Sequence, residues 1–541
     1  MLAALAVLLG LLTVPLSCSP PKAAAEEPSP PVASPKNGGV LRMQIEAPTS
    51  LDPADADSVY NSLPVGQIFD GLVAIDAGMR IIPALASQWT ISRDGRVYTF
   101  KLRPNVTFHD GTPLTSDDVV FTFRRCVTAG HAQSNIAASY VDVIEGMSDF
   151  MAGRRHDLPG VTAEGPLSVK ITLETPYTSF LQVLALDGLR IVPRRLIERI
   201  GDKSFDRAPV GTGPFAFSAW TSDHLTLTAS PTYWGGRAHV DGIDIGFLPE
   251  GEMDAGVESF LRGEIDLFEA GSTEALQRLE TDPHARIHRF QELNTTFLGL
   301  GVKHPPLDDV RVRRAIAHAI DVPAIVRDAA RMRRAATGIL PPGLQCYSPE
   351  PKVLAYDPDE SRRLLEQAGH PQGRGLQPIE LVTISRTGAA ARLTESIRRD
   401  LAAIGLVVRV RDLSWADLNE RIDSHTAPLF KLSWVADLND PDSFLRSPFE
   451  SGGPSNFFGY SDPETDELLR RGEREMNPVT RARIYRAVEK RVLEQAPLVP
   501  LYHPVDALAT KNYVHGLEPG PLGISVLDLE KVWLSRPGET R

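Results

Sequence analysis

The stretch PALASQWTISRDGRVYTFKLRPNVTFHDGTPLTSDDVVFTF, running from Pro83 to Phe123, decides how the rest of the chain is read. Trp89 and Ile91 lead into Asp94-Gly95, a pair suited to a tight turn, and beyond it Tyr98, Phe100 and Leu102 alternate with Val97, Thr99 and Lys101. A period of two beside such a turn predicts a half-buried hairpin. After Phe108-His109-Asp110-Gly111, the run Thr115-Ser116-Asp117-Asp118 supplies a hydroxyl cap and early acids. Val119, Phe123, Cys126 and Val127 follow as the apolar positions of the helix they open.

The surrounding chain is too long for a single core. At 541 residues it exceeds the roughly 250 to 300 residues at which cores stop growing, so two or three domains are expected. Hydrophobic residues at 42% and charged residues at 23% are those of an ordinary globular protein. A net charge of −12 argues against a nucleic-acid partner, because phosphate binding needs clustered Lys and Arg.

Met1 to Leu16 is almost wholly apolar, short for a bilayer span, and followed by Ser17-Cys18. It reads as an export signal. Cys18 and a Pro, Ala, Glu and Ser tail up to Lys36 look like a bacterial lipoprotein, with lipidated Cys18, a flexible tether and a folded region from Gly38. Against that match, no Lys or Arg precedes Cys18 and Pro15 stands where the lipoprotein pattern usually has Leu. A plain cleaved signal with Cys18 incidental is the alternative. Cys126 and Cys346 give no metal or redox spacing; they pair or remain buried thiols, and Cys126 falls on an apolar stripe.

Between Ile379 and Asp437 the pattern is βαβαβ. Ile379 to Ile384 reads as a strand, Ala389 to Ile404 as a helix closed by Gly405, and Leu406 to Arg411 as a second strand. Ser414 caps a short helix with Asp417 three residues on, and Leu429 to Trp434 is a third strand. Strands in such units run parallel, and ligands bind beyond their carboxyl ends. Arg386 and Asp437 stand just past two of those ends. A receptor for a zwitterion needs one buried anion for the ammonium and one cation, preferably Arg, for the carboxylate. The bland readings are that both are solvated loop charges, or that Asp437 caps the turn at Asn439-Asp440-Pro441.

The order and wording of the opening segment resemble the family 5 extracellular solute-binding proteins, the peptide-, nickel- and haem-binding receptors of bacterial ABC importers. Further landmarks come in the same order: Val210-Gly211-Thr212-Gly213-Pro214-Phe215, Tyr233-Trp234-Gly235-Gly236, Pro306-Leu307-Asp308-Asp309-Val310-Arg311 and Asn456-Phe457-Phe458-Gly459-Tyr460. The resemblance implies an α/β fold like that of periplasmic binding proteins, of the type II, large three-domain form, with two lobes hinged around a ligand cleft. It places domain I at 38–80, 206–300 and 506–541, domain II at 81–205 and domain III, the second lobe, at 301–505. Residues 1–18 are the signal and lipobox, and 19–37 the tether. Trp434-Val435-Ala436-Asp437 with Asp440-Pro441 resembles the segment whose acid binds a peptide's α-ammonium. Arg386, after a two-residue shortening, falls at the dipeptide receptors' carboxylate-binding Arg. Trp415 and Trp434 match positions lining the side-chain pocket, with core packing as their alternative.

Enzyme signatures are missing: no Gly-x-Ser-x-Gly, His-Glu-x-x-His, phosphate loop or Cys-x-x-Cys occurs. His284 and His288 have helical ligand spacing, yet Asp282-Pro283 precedes them and no acid lies between, so surface histidines are expected. His109 belongs to the family's structural signature. The expected protein is an exported, periplasmic or cell-surface lipoprotein, a monomer without cofactor or bound metal. It captures short peptides and delivers them to an ABC permease. The alternatives are a nickel, haem or other small-solute receptor of this fold, and a sensing or interaction lipoprotein outside transport.

Overall fold

The computed structural model describes residues 35–535 except 57, 129, 132–134, 250–251, 328, 330, 351–353, 385–387 and 454. The opening hairpin forms as its period requires. Strands Ala86–Ile91 and Val97–Leu102 pair antiparallel, Gly95 turns between them at φ 72°, and Tyr98, Phe100 and Leu102 are buried. Helix Ser116–Arg125 begins where the cap is placed, with the Asp118 carboxylate accepting from both the N–H and the hydroxyl of Thr115 at 2.9 Å. Val119, Phe123, Cys126 and Val127 point into the same core, which covers the four-stranded sheet completed by Val161–Ala163 and Ser168–Thr172. Cys126 and Cys346 are both free thiols. Burial pushes Cys126 up to about 12.

The glycine-rich landmarks lock this region to its neighbour. A Cβ on Gly211 would lie 2.0 Å from the Ile68 carbonyl, so only glycine permits that approach. His109 spans the same turn, its Nε2 donating to Gly213 O (2.9 Å) and its Nδ1 accepting from the Gly211 N–H (3.3 Å). Beside it the buried Asp70 carboxylate accepts from Trp234 Nε1 (2.8 Å), Thr212 Oγ1 (3.0 Å) and Tyr233 OH (3.4 Å). These motifs are structural fasteners. Their chemistry is turned inward.

One large sheet carries the rest. From one edge its strands run Val408–Asp412, Ile379–Thr383, Leu429–Val435, Asn294–Leu300, Leu498–Lys511, Leu267–Glu269, Val40–Glu46, Gly242–Leu248, His224–Ala229 and Phe215–Trp220. The βαβαβ reading holds: strand 379–383 lies between 408–412 and 429–435 and is parallel to both. Helices Gly388–Ala402 and Trp415–Asp423 intervene, the second capped by Ser414 Oγ on the Asp417 N–H at 3.1 Å. At the other side strand 40–46 is parallel to 242–248 and 267–269. The 14-residue strand 498–511 joins the two halves. Its first part pairs with 294–300 and Arg333–Ala335, its last part with 267–269 and Ala285–Gln291. His288 therefore sits on a strand and bonds Thr510 Oγ1 at 3.0 Å; the helical spacing with His284 has no helix beneath it. No helix among the described residues is long and apolar enough to cross a membrane.

Candidate functional site at the junction of the two halves

Strand 429–435 ends with its side chains already committed. Trp434 is half-buried, donates its indole N–H to Ser443 O at 2.7 Å and packs 5.9 Å from the Phe457 ring. Behind it Thr295, Phe297, Phe444, Phe449 and Phe458 line an apolar cavity of about 10 Å³, too small for a ligand side chain as it stands. The Ala436 N–H then donates to Leu293 O at 2.8 Å, and Leu438 enters the core of the four-stranded region. The short run from Ala436 to Leu438 thus passes from one core to another.

Asp437 lies on that passage, two residues past the strand. Its backbone N–H donates to Ser443 Oγ (3.1 Å), and its carboxylate accepts from the hydroxyl of Tyr140 at 2.8 Å. It has no ion-pair partner among the described residues. Asp437 is half-buried, with protein packed closely enough around the carboxylate that burial raises its pKa above the usual range, a shift the Tyr140 bond only partly offsets. Tyr140 belongs to the region of the four-stranded sheet. The bond is therefore one of several clasps across the junction, with Gln182 Nε2 on Asn439 O (3.2 Å) and Thr178 Oγ1 on Glu473 O (3.3 Å).

The turn-capping alternative belongs to Asp440 instead. Asp440 Oδ1 accepts from the Asp442 N–H at 3.0 Å, while both its oxygens take the Arg481 guanidinium, at 2.7 and 2.8 Å. Arg481, Asp440 and Asp442 are each at most 2% exposed, so a buried ion pair fixes the loop that presents Asp437. Nothing in the sequence beyond the Asp440-Pro441 pair announces Tyr140, Ser443 or Arg481; their contacts close over 297, 6 and 41 residues of chain.

Trp415 opens its helix at 59% exposure and makes no hydrogen bond or ring contact with Trp434 or Asp437. It is thus no core wedge. Arg386 and Cys18 both lie outside the described residues. Within them no group of three or more His, Cys, Asp and Glu is arranged to hold a metal ion.

Residues 80–456 match the sequence model of the bacterial extracellular solute-binding proteins, family 5, middle region. The chain belongs to that family. Its members are extracellular or periplasmic solute-binding proteins, not enzymes. It is 28% identical over 505 residues to a probable di/tripeptide-binding protein 5 of Pseudomonas aeruginosa, covering 88% of this chain and 93% of the relative. It is 29% identical over 508 residues to heme-binding protein A of Haemophilus influenzae, covering 91% of each. Among solved structures, the ABC transporter-associated periplasmic binding protein DppA of Helicobacter pylori, in complex with the peptide STSA, superposes with a TM-score of 0.78. That pair is 26% identical over 93% of this chain and 99% of the other.

Proposed function

We propose that the protein captures short peptides in a cleft between two lobes and delivers them to the permease of an ABC importer. Asp437 receives the α-ammonium and Arg386 the carboxylate, while Trp434 and Trp415 border the side-chain space. The observation that carries this reading is the carboxylate of Asp437. It stands beyond the carboxyl end of a strand, enclosed at the junction, with a tyrosine hydroxyl but no cation among the described residues as its partner. Burial of that kind disfavours a lone charge, and a ligand ammonium restores the balance. The peptide-binding relatives and the peptide-bound neighbour support the same choice. In this reading, domains I and II form the first lobe and domain III the second, with the boundaries expected from sequence. The monomer is exported and tethered through a lipid on Cys18.

The test is a titration of di- and tripeptides into the refolded, peptide-free protein, with nickel and haem as separate arms. Truncating one partner of a buried charge pair costs about 2 to 5 kcal/mol, so Asp437→Ala is expected to weaken peptide binding by well over tenfold. Unchanged affinity removes Asp437 from the site, and saturable binding of haem or nickel with none of peptide overturns the assignment.

A further inference from the structure

A second group of acids lies at the same junction, where the strands of the other half end. Strands 40–46 and 267–269 are parallel and finish at Glu46 and Glu269. Asp506, on the strand that joins both halves, is within hydrogen-bonding reach of Glu269 and of Glu292. Glu292 opens the short link between strands 285–291 and 294–300. Glu292 and Asp437 both lie two residues beyond the paired ends of strands 294–300 and 429–435. Asp437 is nevertheless not among the charges that perturb Glu269 or Glu292, so the two acidic positions are separate.

Glu269, Glu292 and Asp506 have no ion-pair partner among the described residues. The side chain of Asn294 sits on them: its Nδ2 donates to Glu292 Oε2 at 2.9 Å, and its buried Oδ1, on a residue 8% exposed, has no partner. Tyr60 and Glu46 face the cluster and add no positive charge, and the buried His503 lies beside it, its Nδ1 3.3 Å from Asn294 O. The oxygens do not form a metal-ligand set. These carboxylates accept from Asn294 Nδ2 and from the backbone N–H groups of Ala507 (2.6 Å) and Gly271, but meet no cation among the described residues; reached by solvent at Glu269 and Glu292, they suit an organic cation with more than one N–H.

We infer that Glu269, Glu292, Asp506 and Asn294 form a subsite for the ammonium or guanidinium of a basic side chain, making Lys- and Arg-containing peptides the favoured ligands. The inference rests on the peptide reading above. In the absence of such a cation the three carboxylates share protons: burial raises all of them, Glu292 to about 7. A bound cation displaces those protons, so basic peptides release protons on binding and neutral ones do not.

The experiment is calorimetry on the full-length protein with alanyl tripeptides carrying Lys or its neutral isostere norleucine at each position, in buffers of differing ionisation enthalpy. At one position Lys is expected to bind at least about tenfold tighter than norleucine above neutral pH. The preference falls as pH drops through about 7 and the cluster takes up protons, and proton release accompanies the Lys peptide alone. Glu292→Gln, or Glu269→Gln if the first does not fold, reduces both the preference and the proton release. Equal affinities for Lys and norleucine peptides at every position overturn this inference and leave the peptide reading standing. No binding of either series overturns both.

Discussion

Asp437 and Asp440 stand three residues apart on one loop, and they are satisfied in opposite ways. Asp440 is fully buried and held by both arms of the Arg481 guanidinium, with Asp442 and Tyr485 closing the network behind it. Asp437 meets one hydroxyl, from the opposite side of the junction. The first arrangement is complete without a ligand and shapes the loop. The second places an acid where burial disfavours its charge, and no cation among the described residues offsets it. Within a few residues, one carboxylate is held by a guanidinium and its neighbour, among the described residues, by a single hydroxyl.

The sharpest way to break that contrast is by stability. Asp440→Ala leaves the buried Arg481 charge with Asp442, 3.4 Å away, as its remaining ion-pair partner among the described residues. Losing one member of such a pair costs about 3 to 5 kcal/mol, which urea denaturation would register as a large fall in midpoint. Asp437→Asn is expected to change stability by less than about 1 kcal/mol in the absence of ligand, because no cation is stranded and the burial penalty on ionisation disappears. Comparable losses in the two variants would mean that Asp437 is as structural as Asp440.

The proposed opposite end of the ligand separates two kinds of peptide. If Arg386 holds the carboxylate, Arg386→Ala costs about 1.5 to 3 kcal/mol for peptides with a free carboxylate, the worth of hydrogen bonds to a charged group. C-terminal amides, which lack that charge, are expected to lose little. Equal losses for both, measured by titration, assign Arg386 a different role.

What the sequence made legible follows from range. The hairpin from Ala86 to Leu102, the Thr115 cap and the unit from Ile379 to Val435 are written in periods of two and 3.6 and in caps a few residues long, and each is where its pattern placed it. Asp437 was reachable because strand ends in a parallel unit are where ligands bind. Boundaries were softer: helix 388–402 stops two residues before its expected end, and Gly405, at φ 90°, turns the chain after it. The partners of Asp437 and the second acidic group were out of reach for a plain reason. Tyr140 meets Asp437 across 297 residues, and Glu269 meets Asp506 only because strand 498–511 returns beside 267–269. No local rule fixes such pairings. Trp434 carried two readings, pocket wall or core wedge, since a half-buried indole satisfies the same pattern in both.

The smallest expected effect isolates the clasp itself. Tyr140→Phe keeps the ring and removes the hydroxyl, a loss of about 1 kcal/mol or roughly fivefold in peptide affinity. The pH dependence carries more information than the size. The Tyr140 bond lowers the pKa of Asp437 against the burial that raises it, so its removal shifts that pKa further upward. A raised carboxylate pKa favours the folded protein below the ordinary aspartate value and loses that contribution as pH rises through the folded value. Ammonium binding has the reverse requirement, since only the ionised carboxylate pairs with it. Peptide affinity is therefore expected to fall as pH drops through the raised pKa, and in Tyr140→Phe the fall begins at a higher pH than in the parent. An identical pH profile in the two proteins would separate Tyr140 from the ionisation of Asp437 and leave it only a link between the halves.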